Sequence, residues 1–459
     1  ESQAAFGTND QNNAHTLWET KDIWVRRHID INEDLSNKKV FLQYSHDDIF
    51  ELYINGIQVV KTPYEWKKNV WVTLSDEVVK TLKQGENVIA AHCHNRTGGA
   101  LADFGLYVED EIDTFLAEAA IQKSVDVQAT QTHYAFDCGN VELKLTFLAP
   151  LLMNDLNLIS RPVNYISYDV TSLDGNKHDV EIYFEAAPNW ALNVPSQANK
   201  GEGYEKDGLL FLKTGSENQK LLGKRGDDIR IDWGYFYLSA EKENTTYNVG
   251  NPYQMRNDFA QTGKLTGDVS SKNNANLALS RSLGNVKSSS GKVLIGYDDI
   301  YSIQYFKENL RPYWNKAGNK TIEQAFAEAN KDYTTLKKKS FEFDYELMTD
   351  ANKAGGKEYA ELCALAYRQA ISAHKLVEAP NGDLLFLSKE NNSNGSIGTV
   401  DVTYPSAPLF LYYNPELAKG LLNHIFYYSE SGQWEKPFPA HDIGTYPWAN
   451  GQTYGGDMP

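Results

Sequence analysis

Cysteine is scarce here. Only Cys93, Cys138 and Cys363 occur in 459 residues, far apart and odd in number. That excludes a disulfide framework and a CxxC metal knuckle, and it predicts buried free thiols. No apolar run approaches the roughly 18–20 residues needed to span a bilayer, so no membrane-spanning helix is expected. Positive charge is also short. Lys and Arg number 44 against 61 Asp and Glu, a net charge of −17. Nucleic acid and anionic membrane surfaces require clustered basic residues, so both are excluded as partners. No Gly-x-Ser-x-Gly elbow, phosphate-cradling loop, heptad run or internal repeat occurs. Glu1 does not read as a native start, so the lack of a leader excludes nothing.

What is present is an ordinary globular composition, 41% hydrophobic and 23% charged, with aromatics at 12%. Acidic, aromatic-rich chains suit neutral polar ligands such as sugars. They equally suit plain solubility. Residues from about 20 to 110 read as β. "KKVFLQYSHDDIFELYINGIQVV" alternates at Val40, Leu42 and Tyr44 and turns at Asn55-Gly56, the dipeptide of a type I′ hairpin. A larger β region runs from about 120 to 298. "VELKLTF" alternates at Val141, Leu143, Leu145 and Phe147. "YISYDVTSLDGNKHDVEIYFEA" gives two strands about Asp174-Gly175. Strands at this spacing predict sandwiches. Residues 266–292, rich in Ser, Asn and Gly, read as a long surface excursion.

The period then changes. Thr321 and Gln324 form a capping box, followed by Ile322, Ala325, Phe326, Ala329, Tyr333 and Leu336 at helical spacing. "KEYAELCALAYRQAISAHKLV" carries a second stripe. "NPELAKGLLNHIFYY" opens with Asn414 as cap and Pro415 at the first helical position. Long loops are expected between these helices, and such loops are usually functional.

Four stretches offer chemistry. His92 and His94 share a strand face and could hold a metal, but no third ligand is in view, so a satisfied strand pair is the default. Asp298 and Asp299 stand at the β-to-helix junction, either as a cap or as carboxylates in a seam. Residues 391–410 read as a polar loop presenting Asp401 and Tyr404. The last stretch, "PFPAHDIGTYPWANGQTYGGDMP", packs His441, Asp442, Tyr446, Trp448, Gln452, Tyr454 and Asp457 between prolines and glycines. A surface Ω-loop is the bland account of it, but a rigid, polar, aromatic loop fits a binding pocket better. The inventory is carboxylates, one His-Asp pair and tyrosines, which points to hydrolysis by acid–base activation of water. Glycoside hydrolysis is the commonest such chemistry. Asp401, Asp442, His441 and Asp457 are the candidate catalytic residues. Tyr404, Tyr446, Trp448, Gln452, Tyr454, Asp298 and Asp299 are the candidate substrate-binding residues. No metal or other cofactor is assigned.

These segments also carry a resemblance. The stretch from "AAIQKSVDVQATQTHYAFDCGNVELKLTF" to "YISYDVTS" resembles the N-terminal β domain of the glutaminase A family. "LIGYDDIYSIQYF", "PNGDLLFLSKENNSNGSIGTVDVTYPSAPLFLYYNPEL" and the last stretch resemble that family's six-hairpin helical domain. "DIWVRRHIDI" and the strand after it resemble a galactose-binding-type β-sandwich. The resemblance implies a multidomain, β-then-α chain. Residues 1–112 would be the galactose-binding-like sandwich, 113–298 the larger antiparallel sandwich, and 299–459 the start of an α/α-toroid-like helical domain. The family motif runs on past Pro459, so the chain is expected to be a fragment with an incomplete ring. The implied activity is a periplasmic or secreted hydrolase releasing ammonia from L-glutamine. The alternatives are a glycoside hydrolase of sandwich-plus-toroid type and a non-catalytic protein that binds glycan on its first sandwich. The partner is a small molecule, glutamine or a sugar.

Overall fold

The computed structural model describes residues 5–8, 14–35, 38–108, 118–227, 229–390 and 393–453. The chain divides into two units, Glu1–Thr114 and Phe115–Pro459. Among the described residues, no helix is long and apolar enough to cross a membrane.

The first unit is built on one strand, Val40–Ile54. Its first half pairs with Glu65–Thr73 and Leu101–Val108, and its second half with Ile57–Lys61 and Gly85–His94. Asn55 and Gly56 turn with φ of 47° and 84°, the left-handed pair a type I′ hairpin requires. Alternation buries Asn87, Ile89, Ala91 and Cys93 along Gly85–His94 and turns His92 and His94 to the other face. Both imidazoles hydrogen-bond Oδ1 of Asp22 on the neighbouring strand, at 2.9 and 2.8 Å. The histidine pair is thus satisfied by a carboxylate. Of the three thiols expected to be buried, only Cys93 is. Cys138 is exposed and Cys363 half-buried.

In the second unit a nine-stranded antiparallel sheet is the middle of three layers. The strand Leu209–Ser216 shows why. Leu210 and Leu212 pack toward a three-stranded sheet of His178–Ala186, Asn276–Val286 and Thr245–Gly250. Leu209 and Phe211 pack the opposite way, on a long helix. A sheet covered on both faces needs apolar residues at both parities, and this strand supplies them. The segment read as a surface excursion is in fact structural. It forms Ser270–Lys272, Asn276–Val286 and the start of Ser288–Asp298, a central strand. Its serines and glycines satisfy the ladder through backbone alone, which composition hides. The two strands flanking Asp174-Gly175 do not pair with each other. Val163–Ser172 lies in the nine-stranded sheet and His178–Ala186 in the other. At the end of Val141–Leu148 the buried residue is Leu148, while Phe147 is exposed.

Five helices matter here: α1 Pro252–Thr262, α2 Ile322–Gly355, α3 Lys357–Ser372, α4 Val400–Tyr413 and α5 Pro415–Glu430. The capping box of Thr321 and Gln324 opens α2. Its stripe of Ile322, Ala325, Phe326 and Ala329 covers the sheet. Further along, the buried Asp344 accepts from Thr130 N, Thr130 Oγ1 and Gln131 Nε2 at 2.8, 2.8 and 3.0 Å. From α3, Arg368 donates to Gln128 O, Gln131 O and Thr132 Oγ1. One turn, residues 128–132, is therefore gripped from both helices. The long loops expected between helices are mostly absent. Gly356 alone joins α2 to α3, and Asn414 alone joins α4 to α5. The long connection between α3 and α4 carries a hairpin of His374–Glu378 and Leu384–Ser388. In it His374 stacks on Phe386 at 4.5 Å. From α5, the ring of His424 donates to the carbonyl of Gly398 at 2.9 Å.

Two outcomes follow. Phe326 is fully buried and meets Phe211 edge-on at 5.5 Å. Phe326→Ala should cost about 3–5 kcal/mol, while Phe341→Ala on the exposed side of α2 should stay within about 0.5 kcal/mol. Urea unfolding midpoints test both. Burial also pushes His374 and His424 down to about 4. Their unfolded values lie near 6.5, so between the two the unfolded chain binds protons the folded chain refuses. Stability should fall as pH drops from about 6.5 to about 4, by at most about 7 kcal/mol for the two groups together at about 1.4 kcal/mol per unit and group. Melting temperatures across that range test it, and His374→Gln should flatten the slope.

Candidate active site

Residues 395–400 and 441–446 run antiparallel, side by side. Tyr446 N donates to Gly395 O, Ile397 N to Gly444 O, Ile443 N to Ile397 O and Val400 N to His441 O, at 2.9–3.1 Å. This pairing sets the start of α4 against His441. Gly398 is essential to it. Its φ is +66°, and a Cβ there would stand 2.5 Å from the His424 ring.

Asp442 lies beneath, 1% exposed. Its Oδ1 accepts from Gly444 N at 2.8 Å. Its Oδ2 accepts from His441 Nδ1 at 3.0 Å and from the Ser396 hydroxyl at 3.5 Å. Burial pushes the Asp442 carboxyl up, and the His441 and Gly444 hydrogen bonds oppose this. With Nδ1–H given to Asp442, the other ring nitrogen carries its lone pair outward. That Nε2 stands 3.8 Å from Oδ1 of Asp401. Side-chain exposure rises along the row, from 1% at Asp442 to 26% at His441 and 70% at Asp401. Gln452 Oε1 accepts from His441 N at 3.0 Å and holds the residue's backbone.

The expected polar loop of residues 391–410 is largely helix. Val400–Tyr413 is α4 despite Pro405 and Pro408 within it. Its buried Phe410, packed among Phe386 and His374, outweighs the prolines. Asp401 therefore sits in a first helical turn, where carboxylates are favoured. Tyr404, three residues on, is 85% exposed on the same face. Two of the expected substrate-binding residues are held elsewhere in the fold. Tyr446 is buried in the core with Leu387, Ile397 and Ile443. Trp448 donates its indole N–H to Leu222 O at 2.8 Å, with Arg225 over its ring. Asp298 and Asp299 cap no helix. Asp298 accepts from Ile300 N, and Asp299 pairs with Lys375 at 3.0 Å. Tyr454 and Asp457 lie outside the described residues.

Sequence reasoning missed Glu390. It follows a strand as an ordinary charged residue, with no motif to single it out. Ligand atoms of Glu390, Asp401 and His441 lie within 4.8 Å of one another. One imidazole nitrogen and two carboxylates at that spacing could hold a divalent cation, with Asp442 as the outer partner on the far ring nitrogen. A groove of about 1,890 Å³ lies elsewhere, among α2, α3 and the end of α4, and includes none of these residues.

A family model described as "Domain of unknown function (DUF5127)" matches residues 130–350. The model of the glutaminase A six helical-hairpin domain matches residues 356–459. The chain is 31% identical over 351 residues to Glutaminase A of Aspergillus oryzae, covering 73% of this chain and 50% of that protein. It is 25% identical over 335 residues to a probable glutaminase of Arthroderma benhamiae, covering 67% and 38% respectively. The chain thus spans half or less of the curated relatives it matches. A glycosyl hydrolase family 2 member from Bacteroides cellulosilyticus is similar over 48% of this chain and 26% of its own, at 10% identity and a TM-score of 0.19, too low to bear on function. With the helical-hairpin model matching its C-terminal part and Glutaminase A aligning along most of its length, this chain belongs to the glutaminase A family.

Proposed function

We propose that this chain carries the acid–base residues of a hydrolase that splits the side-chain amide of L-glutamine. The names of its curated relatives supply the substrate class. The row Asp442–His441–Asp401 is the observation that carries the chemistry. His441 Nε2 takes a proton from water. The water oxygen adds to the amide carbon, the C–N bond breaks, and the same proton passes to nitrogen, leaving glutamate and ammonia. Asp442 keeps the ring in its productive tautomer and steadies the imidazolium. Asp401 and Glu390, at the mouth, would face the substrate's ammonium group. Asp401 and Asp442 are both among the catalytic residues expected from sequence. Buried behind the imidazole, Asp442 is a positioning residue instead. Two carboxylates at the mouth would also suit a glycosidase, so it is the names of the curated relatives that favour the amide reading over the sugar.

The first unit has its own candidate partner. Trp24 is 72% exposed and stacks on His92 at 4.8 Å beside Asp22. A flat aromatic face with a polar rim suits a sugar ring, and this supports glycan binding there.

In the full-length protein, His441→Ala and Asp442→Asn should lower kcat for ammonia release from glutamine by about 10²–10⁴-fold. Tyr404→Ala should act mainly on KM. Folded variants within a few-fold of wild type, or turnover of chromogenic glycosides without turnover of glutamine, would sink the assignment. On glycan arrays, Trp24→Ala should abolish retention. Retention unchanged in Trp24→Ala would end the sugar reading.

A further inference from the structure

The Asp298–Asp299 turn has no part in the chemistry above, yet Asp299 is buried beside a lysine. Its Oδ2 accepts from Lys375 Nζ at 3.0 Å and from the Ser302 hydroxyl at 2.6 Å. Burial opposes the ammonium charge, but the Asp299 carboxylate outweighs it and holds Lys375 above the usual lysine range. The pair opens on a cavity of about 240 Å³, walled by Ile159, Ile371 and Phe386 and also lined by Trp314 and His374. That is somewhat under the ~300–1,000 Å³ of drug-sized pockets, so the occupant is small.

Two of the residues lining it carry a buried polar atom with no partner among the described residues. One is the indole N–H of Trp314, a side chain only 6% exposed. The other is His374 Nε2. His374 gives its Nδ1–H to the Ala370 carbonyl at 2.6 Å, so Nε2 is an acceptor. A buried donor and a buried acceptor left without partners are both costly. The cavity therefore offers a cation, a carboxylate, one unused donor, one unused acceptor and apolar walls. A lone anion would face Asp299, and a lone cation would face Lys375. A molecule bearing both charges matches both.

We propose that this cavity binds a small α-amino acid. Its carboxylate would lie on Lys375 and the Trp314 N–H, and its ammonium on Asp299 and His374 Nε2. Val377, on the same hairpin as Lys375, shares a core with Tyr446 of the segment that carries His441. Only the choice of glutamine and glutamate as probes rests on the hydrolase reading.

The test is calorimetric titration of the full-length His441→Ala protein, in which turnover cannot confuse the heats. L-glutamine or L-glutamate should bind, and comparing the two shows whether substrate or product is the natural occupant. Acetate and methylamine should each bind at least about tenfold more weakly, for want of one charge. Adding Trp314→Phe, which keeps the ring packed, should weaken amino-acid binding about five- to tenfold. Adding Asp299→Asn should weaken it further. No binding of either amino acid, acetate binding as tightly as glutamate, or unchanged affinity in Trp314→Phe would overturn the proposal and leave ordered waters as the contents. Binding without glutamine turnover in the wild type would instead sink the hydrolase reading and leave this one standing.

Discussion

The candidate site depends on one buried carboxylate. Asp442 has lost almost all contact with water, and a carboxylate in that position must be met by donors. Three meet it: the backbone N–H of Gly444, the ring N–H of His441 and the hydroxyl of Ser396. The first bends the 441–446 segment on itself. The second sets the imidazole's tautomer and direction. The third ties the segment to residues 395–400, whose antiparallel pairing delivers Asp401. Replacing Asp442 would disturb the local fold and the chemistry together, since the same oxygens serve both.

Around that point, the second unit is organised by a sheet buried on both faces. Leu209 to Leu212 pack alternately on a helix and on a second sheet. The helices could slide on such an apolar face. The polar grip of Asp344 and Arg368 on residues 128–132 fixes their position. Hydrophobic burial supplies the larger share of stability, and a few directional bonds choose the register. Once α2 and α3 are placed, the hairpin that follows carries Lys375 to Asp299 and brings the chain to the start of α4.

Legibility in the sequence followed how local each signal was. The Asn55-Gly56 turn, the Thr321 capping box and the stripe through Ile322, Phe326 and Ala329 were readable because each depends on residues a few positions apart. The α4 helix was not, because Pro405 and Pro408 argue against it and only distant Phe386 and His374 bury its Phe410. The start of the central strand, within 266–292, was hidden by serine and glycine, since pairing there uses backbone groups common to all residues. His441, Asp442 and Asp401 stood out as polar residues in glycine- and proline-bounded stretches. Tyr446 and Trp448 stood out for the same reason, yet the fold buries the first and pins the second. Glu390 had no local mark.

Local sequence alone specifies the β-then-α order, helices α2, α3 and α5, the hairpin turn and most of the side chains able to do acid–base work. These follow from periodicity, turn chemistry and residue type, which neighbours along the chain specify. Tertiary structure alone decided which carboxylate faces solvent and which orients the histidine. It also decided that Glu390 joins them, and that Asp299 meets a lysine 76 residues away. Those outcomes depend on burial and on pairing between distant segments. A residue's ionic role is set by what surrounds it, and the surroundings exist only once the chain has folded.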